Sequence, residues 1–368
     1  MEYKFECWND YQSLNNDHLT VYKEIGLNSA KTFINVRELP QNPKLMSWSS
    51  SSEWQSYMNH LDVYLPRMFT CWNNNSKDFW VGNPKGFTPS VTKDGEKFSD
   101  FQNACKQAGL IPIYCIGSSE EAIPIGDWLG RAPTSDKWRW LGRFCKEFAI
   151  FINKKYGFKK AVLEIWNEPI KTFGNYDATW YMHLGAYMAK GWKSANLGSG
   201  YEVWINSNDI QHQGFIDQLL RFENLMMYTT AITTHCNSRA EWDYREKGTG
   251  ATYFQIVNRK IHQSPLCIKY KVVKQILSEM SPVSGLNDYS NPSSQVSQLK
   301  TFKARFELIK NKVSGYGMLF VWVNDIIHTG DMDEIVIFQL YDKNGKLSGN
   351  ILGKNAGKYD YLKSYNLS

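Results

Sequence analysis

Short runs of β-branched and aromatic residues recur along the chain, separated by stretches whose apolar positions fall at helical spacing. The runs are "YKFECW" (3–8), "AKTFINV" (30–36), "LIPIYCIG" (110–117), "AVLEIWNE" (161–168), "EVWINSN" (202–208), "YTTAITTHC" (228–236), "VVKQILSEM" (272–280) and "GMLFVWVN" (317–324). Most are apolar on both faces, the pattern of parallel strands covered by helices rather than of strands with one wet face. Between them, 136–155 carries Trp138, Leu141, Cys145, Phe148 and Ile152 on one helical stripe, and 294–312 carries Val296, Leu299, Phe302, Phe306 and Ile309. Gly109, Gly157 and Gly315 stand just before strands, where a helix commonly ends in a left-handed residue. Strands alternating with helices eight times predict an α/β protein, a (β/α)8 TIM barrel.

The spacing is uneven. Long connections follow strand two, with the polar stretch "SWSSSSEW", and strand six, from 237 to 270. In a barrel such excess belongs to the loops on the catalytic face. Trp48, Trp54, Trp72 and Trp80 within the first of them suggest an ordered cleft wall. Without a repeat or a long linker, residues 1–368 read as one catalytic domain, with 335–368 a small C-terminal extension and Asn344-Gly345 the turn of a hairpin.

Composition narrows the partners. The net charge of +6 comes without a basic run, so nucleic acid is not expected. No apolar stretch approaches the roughly 20 residues of a membrane helix, and the N-terminus lacks a signal-peptide pattern, so a soluble protein is expected, its location open. Cys7, Cys71, Cys105, Cys115, Cys145, Cys236 and Cys267 are scattered, odd in number and without CxxC spacing, which reads as mostly free, buried thiols. "HTGDMDE" (328–334) reads as a solvated loop rather than a metal site, since calcium needs six to eight oxygens. No cofactor is expected. An aromatic content of 15% fits a carbohydrate cleft as well as a packed core.

The fourth run raises the chemical question. "AVLEIWNEPI" (161–170) places two carboxylates in an otherwise apolar strand. With a period of two, Glu164, Trp166 and Glu168 share a face and Asn167 lies on the other. Glu168 alone reaches the rim. Glu164, two pleats deeper, requires a buried partner, and Arg37 is the candidate. For Asn167 and Glu168 both to meet a substrate, the strand end must twist or bulge, and Pro169 fits such an end. At the end of the seventh strand, "QILSEMSPVSG" supplies Glu279 in the same relative place. Two carboxyls facing each other across a barrel mouth are what retaining hydrolysis of a glycosidic bond needs, one as nucleophile and one as acid then base.

The Asn-Glu-Pro triplet at strand four with a Glu at strand seven resembles the pattern of clan A glycoside hydrolases, and family 39 among them. "DFQNACKQAGLIPIYCIGS" (100–118) is similar to that family's helix and Gly-x-x-Pro turn into strand three. "WRWLGRFCKEFAIFINKKYGFKKAVLEIWNEP" (138–169) is similar to its Trp-anchored helix and E-x-W-N-E-P strand, "ILSEMS" to its nucleophile strand, and "FVWVNDI" (320–326) to its eighth strand. The resemblance implies a retaining β-glycosidase acting on a poly- or oligosaccharide, with Glu168 as acid/base and Glu279 as nucleophile. It places Asn167 against the sugar 2-hydroxyl, His235 at the end of strand six and Trp322 as the sugar platform; Trp166 and Arg37, from their own positions, are further substrate-side candidates.

Two departures qualify it. Clan members carry His-x-Tyr at strand six, whereas this chain has His235-Cys236-Asn237, leaving Asn237 or another loop to orient the nucleophile. Ser278 stands before Glu279 where Thr is usual. A bare barrel resembles the endo-acting members more than the exo-acting xylosidases, which carry an extra β-sandwich. A monomer is expected. The alternatives are an exo-acting β-glycosidase and a non-catalytic carbohydrate-binding barrel.

Overall fold

The computed structural model describes residues 3–6, 29–34, 50–64, 98–117, 135–170, 178–207, 213–236, 244–272, 274–280 and 319–322. All eight expected strands are present, as β1 (Tyr3–Glu6), β2 (Ser29–Ile34), β3 (Ile111–Ile116), β4 (Ala161–Ile165), β5 (Tyr201–Asn206), β6 (Ala231–Cys236), β7 (Lys274–Met280) and β8 (Leu319–Trp322). β2 to β7 form one parallel sheet in sequence order, and β1 pairs with β8, also in parallel. β1 lies alongside β2, and β8 alongside β7. The helices are α1 (Ser51–Tyr64), α2 (Phe98–Ala108), α3 (Ser135–Tyr156), α4 (Thr179–Ser194), α5 (Gln213–Leu219), α6 (Glu223–Met226), α7 (Tyr253–Gln263) and α8 (Pro265–Tyr270). Helix 294–312, the tail from 334, Gly315, Arg37, Asn237, loop 328–334 and Trp48, Trp72 and Trp80 lie outside the described residues.

The two-sided burial of the strands sorts into two cores. The outer face joins the helices in a large cluster that includes Tyr114, Leu163, Ile165, Val203, Ile205 and Ile232. The inner face is a separate small cluster of Ile113, Val162, Trp204, Ala231 and Ile276, contributed by five consecutive strands. Cys105, Cys115, Cys145 and Cys267 are free and buried, as their sequence positions suggested. Gly109 (φ 69°) and Gly157 (φ 76°) are left-handed, as residues ending α2 and α3 should be.

Two expectations about the connections change. The end of "SWSSSSEW" is helix rather than loop, because Ser50 opens α1 with a capping box. Its Oγ accepts from the Glu53 amide (3.3 Å), and Glu53 Oε2 accepts from the Ser50 amide (2.7 Å). Trp54 then packs between Tyr57 and Trp140 at 1% exposure, in the helical layer rather than in a cleft wall. α1 is pinned to α3 by the buried Glu147 carboxylate, which accepts from Ser51 Oγ and Gln55 Nε2 and pairs with Arg143 at 2.9 Å. The connection after strand six is likewise not all loop. It folds into α7, opened by a Thr252/Gln255 capping box, and α8, opened by Ser264 with a proline in the first turn.

α3 and α4 approach through glycines. A Cβ placed on Gly191 would lie 1.8 Å from the Gly142 carbonyl oxygen, and one on Gly142 would lie 2.7 Å from the Tyr187 carbonyl oxygen. Backbone cannot yield as a flexible side chain can, so Gly191→Ala is expected to force the helices apart and to cost roughly 1–3 kcal/mol or more. Denaturant midpoints of Gly191→Ala against Gly198→Ala check this. At Gly198 the site is open and only the positive φ of 86° opposes a side chain, so the deficit there should be the smaller.

Candidate active site

β4 stops at Ile165, three residues short of the sequence expectation, because the backbone leaves the extended region. Trp166 has φ 57° and Glu168 φ 38°, so two residues of the Trp-Asn-Glu run are left-handed. This is the twist that the sequence required of the strand end. Hydrogen bonding to β3 continues through it, from the Trp166 amide to Ile116 O (3.0 Å) and from the Asn167 amide to Gly117 O (2.8 Å). Room comes from Gly117, whose own φ is 102°. A Cβ there would lie 2.0 Å from the Trp166 ring. Trp166 is fully buried, edge-on to Trp180 at 5.2 Å, so its contacts are with the scaffold under the site.

Glu168 emerges from this turn partly exposed, at 18%, and its Oε1 lies 2.9 Å from His235 Nδ1. The other imidazole nitrogen, Nε2, is 2.8 Å from Asn206 Nδ2. With the amide donating to Nε2, the ring proton sits on Nδ1 and donates to the Glu168 carboxyl. Asn206 is held in turn by Tyr181, whose hydroxyl accepts from the Asn206 amide (2.9 Å) and donates to Ile165 O (2.9 Å). Tyr181 of α4 therefore ties the ends of β4 and β5 together. Burial, foremost, holds its hydroxyl protonated well above the ordinary tyrosine range. Sequence reasoning missed Tyr181 and Asn206, the first because it reads as an ordinary core aromatic of an amphipathic helix. Asn206 closes β5, and an asparagine at a strand end, like Asn167 just past β4, was the available signal.

Asn167 is 7% exposed, and its Oδ1 has no hydrogen-bond donor among the described residues. For Glu279 and Trp322 the backbone is described. Glu279 is the register partner of His235 across β6 and β7, reached through a one-residue irregularity between Thr234 and His235. Trp322 closes β8, paired with Glu6. The strand ends thus bring Asn167, Glu168, Asn206, His235 and the Glu279 backbone to one edge of the sheet.

Beneath them lies the second carboxylate. Glu164 is fully buried and pairs with Lys31 of β2, Nζ lying 2.9 Å from Oε2; Arg37, the expected partner, lies outside the described residues. The interior face of β2 carries Lys31 one pleat below the level of Glu164, close enough for a long side chain to reach up. Thr233 Oγ1 of β6 donates to Glu164 Oε1 at 2.8 Å. Burial alone would raise the Glu164 carboxyl. The Lys31 ammonium beside it and the nearby His235 outweigh that and hold it below its ordinary value. Among the described residues no cluster of His, Cys, Asp or Glu has the makings of a metal site.

No protein-family model matches the sequence. No curated protein matches it either. Solved structures do match in shape. A glucosidase from Croceicoccus marinus superposes with a TM-score of 0.55 at 12% identity, over 99% of this chain and 67% of that one. A family 39 glycoside hydrolase from Bacteroides cellulosilyticus WH2 gives 0.52 at 12% identity, and this chain spans 58% of its length. Fungal β-1,4-galactanases give 0.52 at 10% identity, over 97% of this chain and 99% of theirs. The fold is that of glycoside hydrolases.

Two outcomes follow from the geometry. Gly117→Ala is expected to displace the Trp166 ring and to cost roughly 1–3 kcal/mol, because added volume here meets a fixed ring in a positive-φ turn. Calorimetric melting and loss of the native near-ultraviolet tryptophan signal would report it. Since the folded-state value of Glu164 is depressed, its stabilising contribution is present above the ordinary glutamate range, near roughly 4.3, and is lost as pH falls through the lower folded value. Urea midpoints measured from neutral pH downward should fall below about pH 4. In Glu164→Gln, that acid-side slope should be shallower.

Proposed function

We propose that the chain is a retaining glycoside hydrolase, a closed (β/α)8 barrel of one catalytic domain that cleaves β-glycosidic bonds by double displacement. The observation that carries the reading is the rim geometry. Glu168 is hydrogen-bonded to His235, and His235 stands in register with Glu279. Barrel closure is supported by the approach of β1 to β2 and of β8 to β7 around the six-stranded sheet.

In this mechanism Glu279 attacks the anomeric carbon while Glu168 protonates the departing glycosidic oxygen. Glu168 then deprotonates the water that releases the sugar from Glu279. The His235 Nδ1 proton on Oε1 leaves Oε2 of Glu168 to carry the proton that is delivered. A sugar 2-hydroxyl would supply the donor that Asn167 Oδ1 lacks among the described residues. Trp322, at the end of β8, would serve as the platform under the sugar ring. Likeness to β-1,4-galactanases over nearly the whole of both chains supports a polysaccharide substrate, and endo action is the reading adopted for this chain. The strand-six sequence His235-Cys236-Asn237, which lacks a tyrosine, favours a second reading as a carbohydrate-binding barrel that has lost turnover.

Glu279→Ala is expected to abolish hydrolysis of aryl β-glycosides, and azide to restore it with an α-glycosyl azide as product. A folded variant that azide fails to rescue would remove Glu279 from the nucleophile's role. Glu168→Ala should lose roughly 10²–10⁴-fold on substrates with poor leaving groups and much less on activated ones. Oligosaccharide binding by calorimetry with no product after long incubation of the wild-type protein would establish the binding-barrel reading instead.

A further inference from the structure

Inside the sheet, Lys31 and Glu164 are both fully buried, facing an otherwise apolar cluster of Ile113, Val162, Trp204, Ala231 and Ile276. Stability does not explain their presence, since a buried ion pair is commonly matched or bettered by apolar side chains of the same volume. Their position suggests another role. Glu164 lies on β4 four residues before Glu168, and its Oε1 is bound by Thr233, two residues before His235 on β6. The two carboxylates of β4 therefore hold neighbouring levels of β6, Glu164 through Thr233 and Glu168 through His235.

We propose that Lys31 and Glu164 are positioning residues for Glu168, acting through His235: the Lys31 ammonium cancels the Glu164 charge, so the imidazole above stays neutral and keeps its Nδ1 proton on Glu168. The inference rests on the reading of Glu168 as the acid/base. A lone carboxylate at Glu164 would draw a proton onto His235, because opposite charges attract strongly where water is excluded. The resulting imidazolium would hold Glu168 ionised, and an ionised carboxyl has no proton to deliver. Beside the imidazole stands Asn206 of β5, whose backbone amide donates to Tyr181 of α4; Thr233 precedes His235 by two residues on β6, and Glu279 of β7 is its register partner. Lys274 of β7 pairs with Glu202 of β5 at 3.3 Å, nearer the N-terminal ends of these strands than His235.

The test follows the His235 ring by nuclear magnetic resonance of histidine-labelled protein, its signal assigned by its absence in His235→Gln. Lys31→Met is expected to move proton uptake by His235 to higher pH by about one unit, and Glu164→Gln to move it lower by about as much. The double variant Lys31→Met/Glu164→Gln, which keeps the shape and buries no charge, should return it to the wild-type position. Shifts in the same direction, no shift, or a double variant that fails to return would overturn the proposal. If Lys31→Met does not fold, Glu164→Gln and the double variant decide alone by the same criteria. In catalysis, Lys31→Met should lower kcat/KM at least tenfold more for poor leaving groups than for activated aryl glycosides. Equal losses on both would overturn the link to Glu168. A wild-type protein that turns over no glycoside would instead sink the acid/base reading, and the ring titration would still show whether the charge balance exists.

Discussion

The site depends on how β4 ends. In a regular strand Asn167 and Glu168 would point to opposite faces, and one of the two would be lost to the helical layer. Here Trp166 and Glu168 are both left-handed, a conformation costing roughly 1–2 kcal/mol for each residue with a side chain. Such strain persists only where the surroundings over-determine it. They do so from three sides. Gly117 leaves space for the Trp166 ring, the β3 carbonyls of Ile116 and Gly117 retain their hydrogen bonds, and Tyr181 holds Ile165 O from the helix above. The indole is thus the wedge that sets the turn, with its area spent on the scaffold.

What the sequence revealed and what it concealed divide along physical lines. The strands were legible because residues such as Ile113, Leu163 and Val203 are apolar on both faces, a pattern that only covered parallel strands satisfy. The ends of α2 and α3 were legible through Gly109 and Gly157, because left-handed termini select glycine. The start of α1 was overlooked although Ser50-x-x-Glu53 encodes it, since a run of serines looks like loop until its spacing to the glutamate is counted. Lys31 as a partner of Glu164 was overlooked for a different reason. Pairing across the inner face of the sheet depends on side-chain reach, so Lys31, lower on β2, meets Glu164 from a level that the sequence pattern does not single out. Tyr181 could not be recognised at all, because its role rests on a single hydroxyl at a position where any large aromatic would satisfy the helix.

The remaining constraint is the register of β7. Up to Thr234 and Leu277 the pairing with β6 is regular, and continued without change it would set His235 opposite Ser278. One inserted residue alters this, and His235 pairs with Glu279 instead. Ser278, fully buried, stays at the level of the interior, while the following residue moves up to the rim. Because a strand offers one face only every second residue, β7 could not otherwise serve both levels with consecutive positions. β4 reaches the same end differently, by left-handed turns after Ile165. Both strands break their alternation at the level of His235, as a rim must if it is to gather more polar groups than regular strands present on one face.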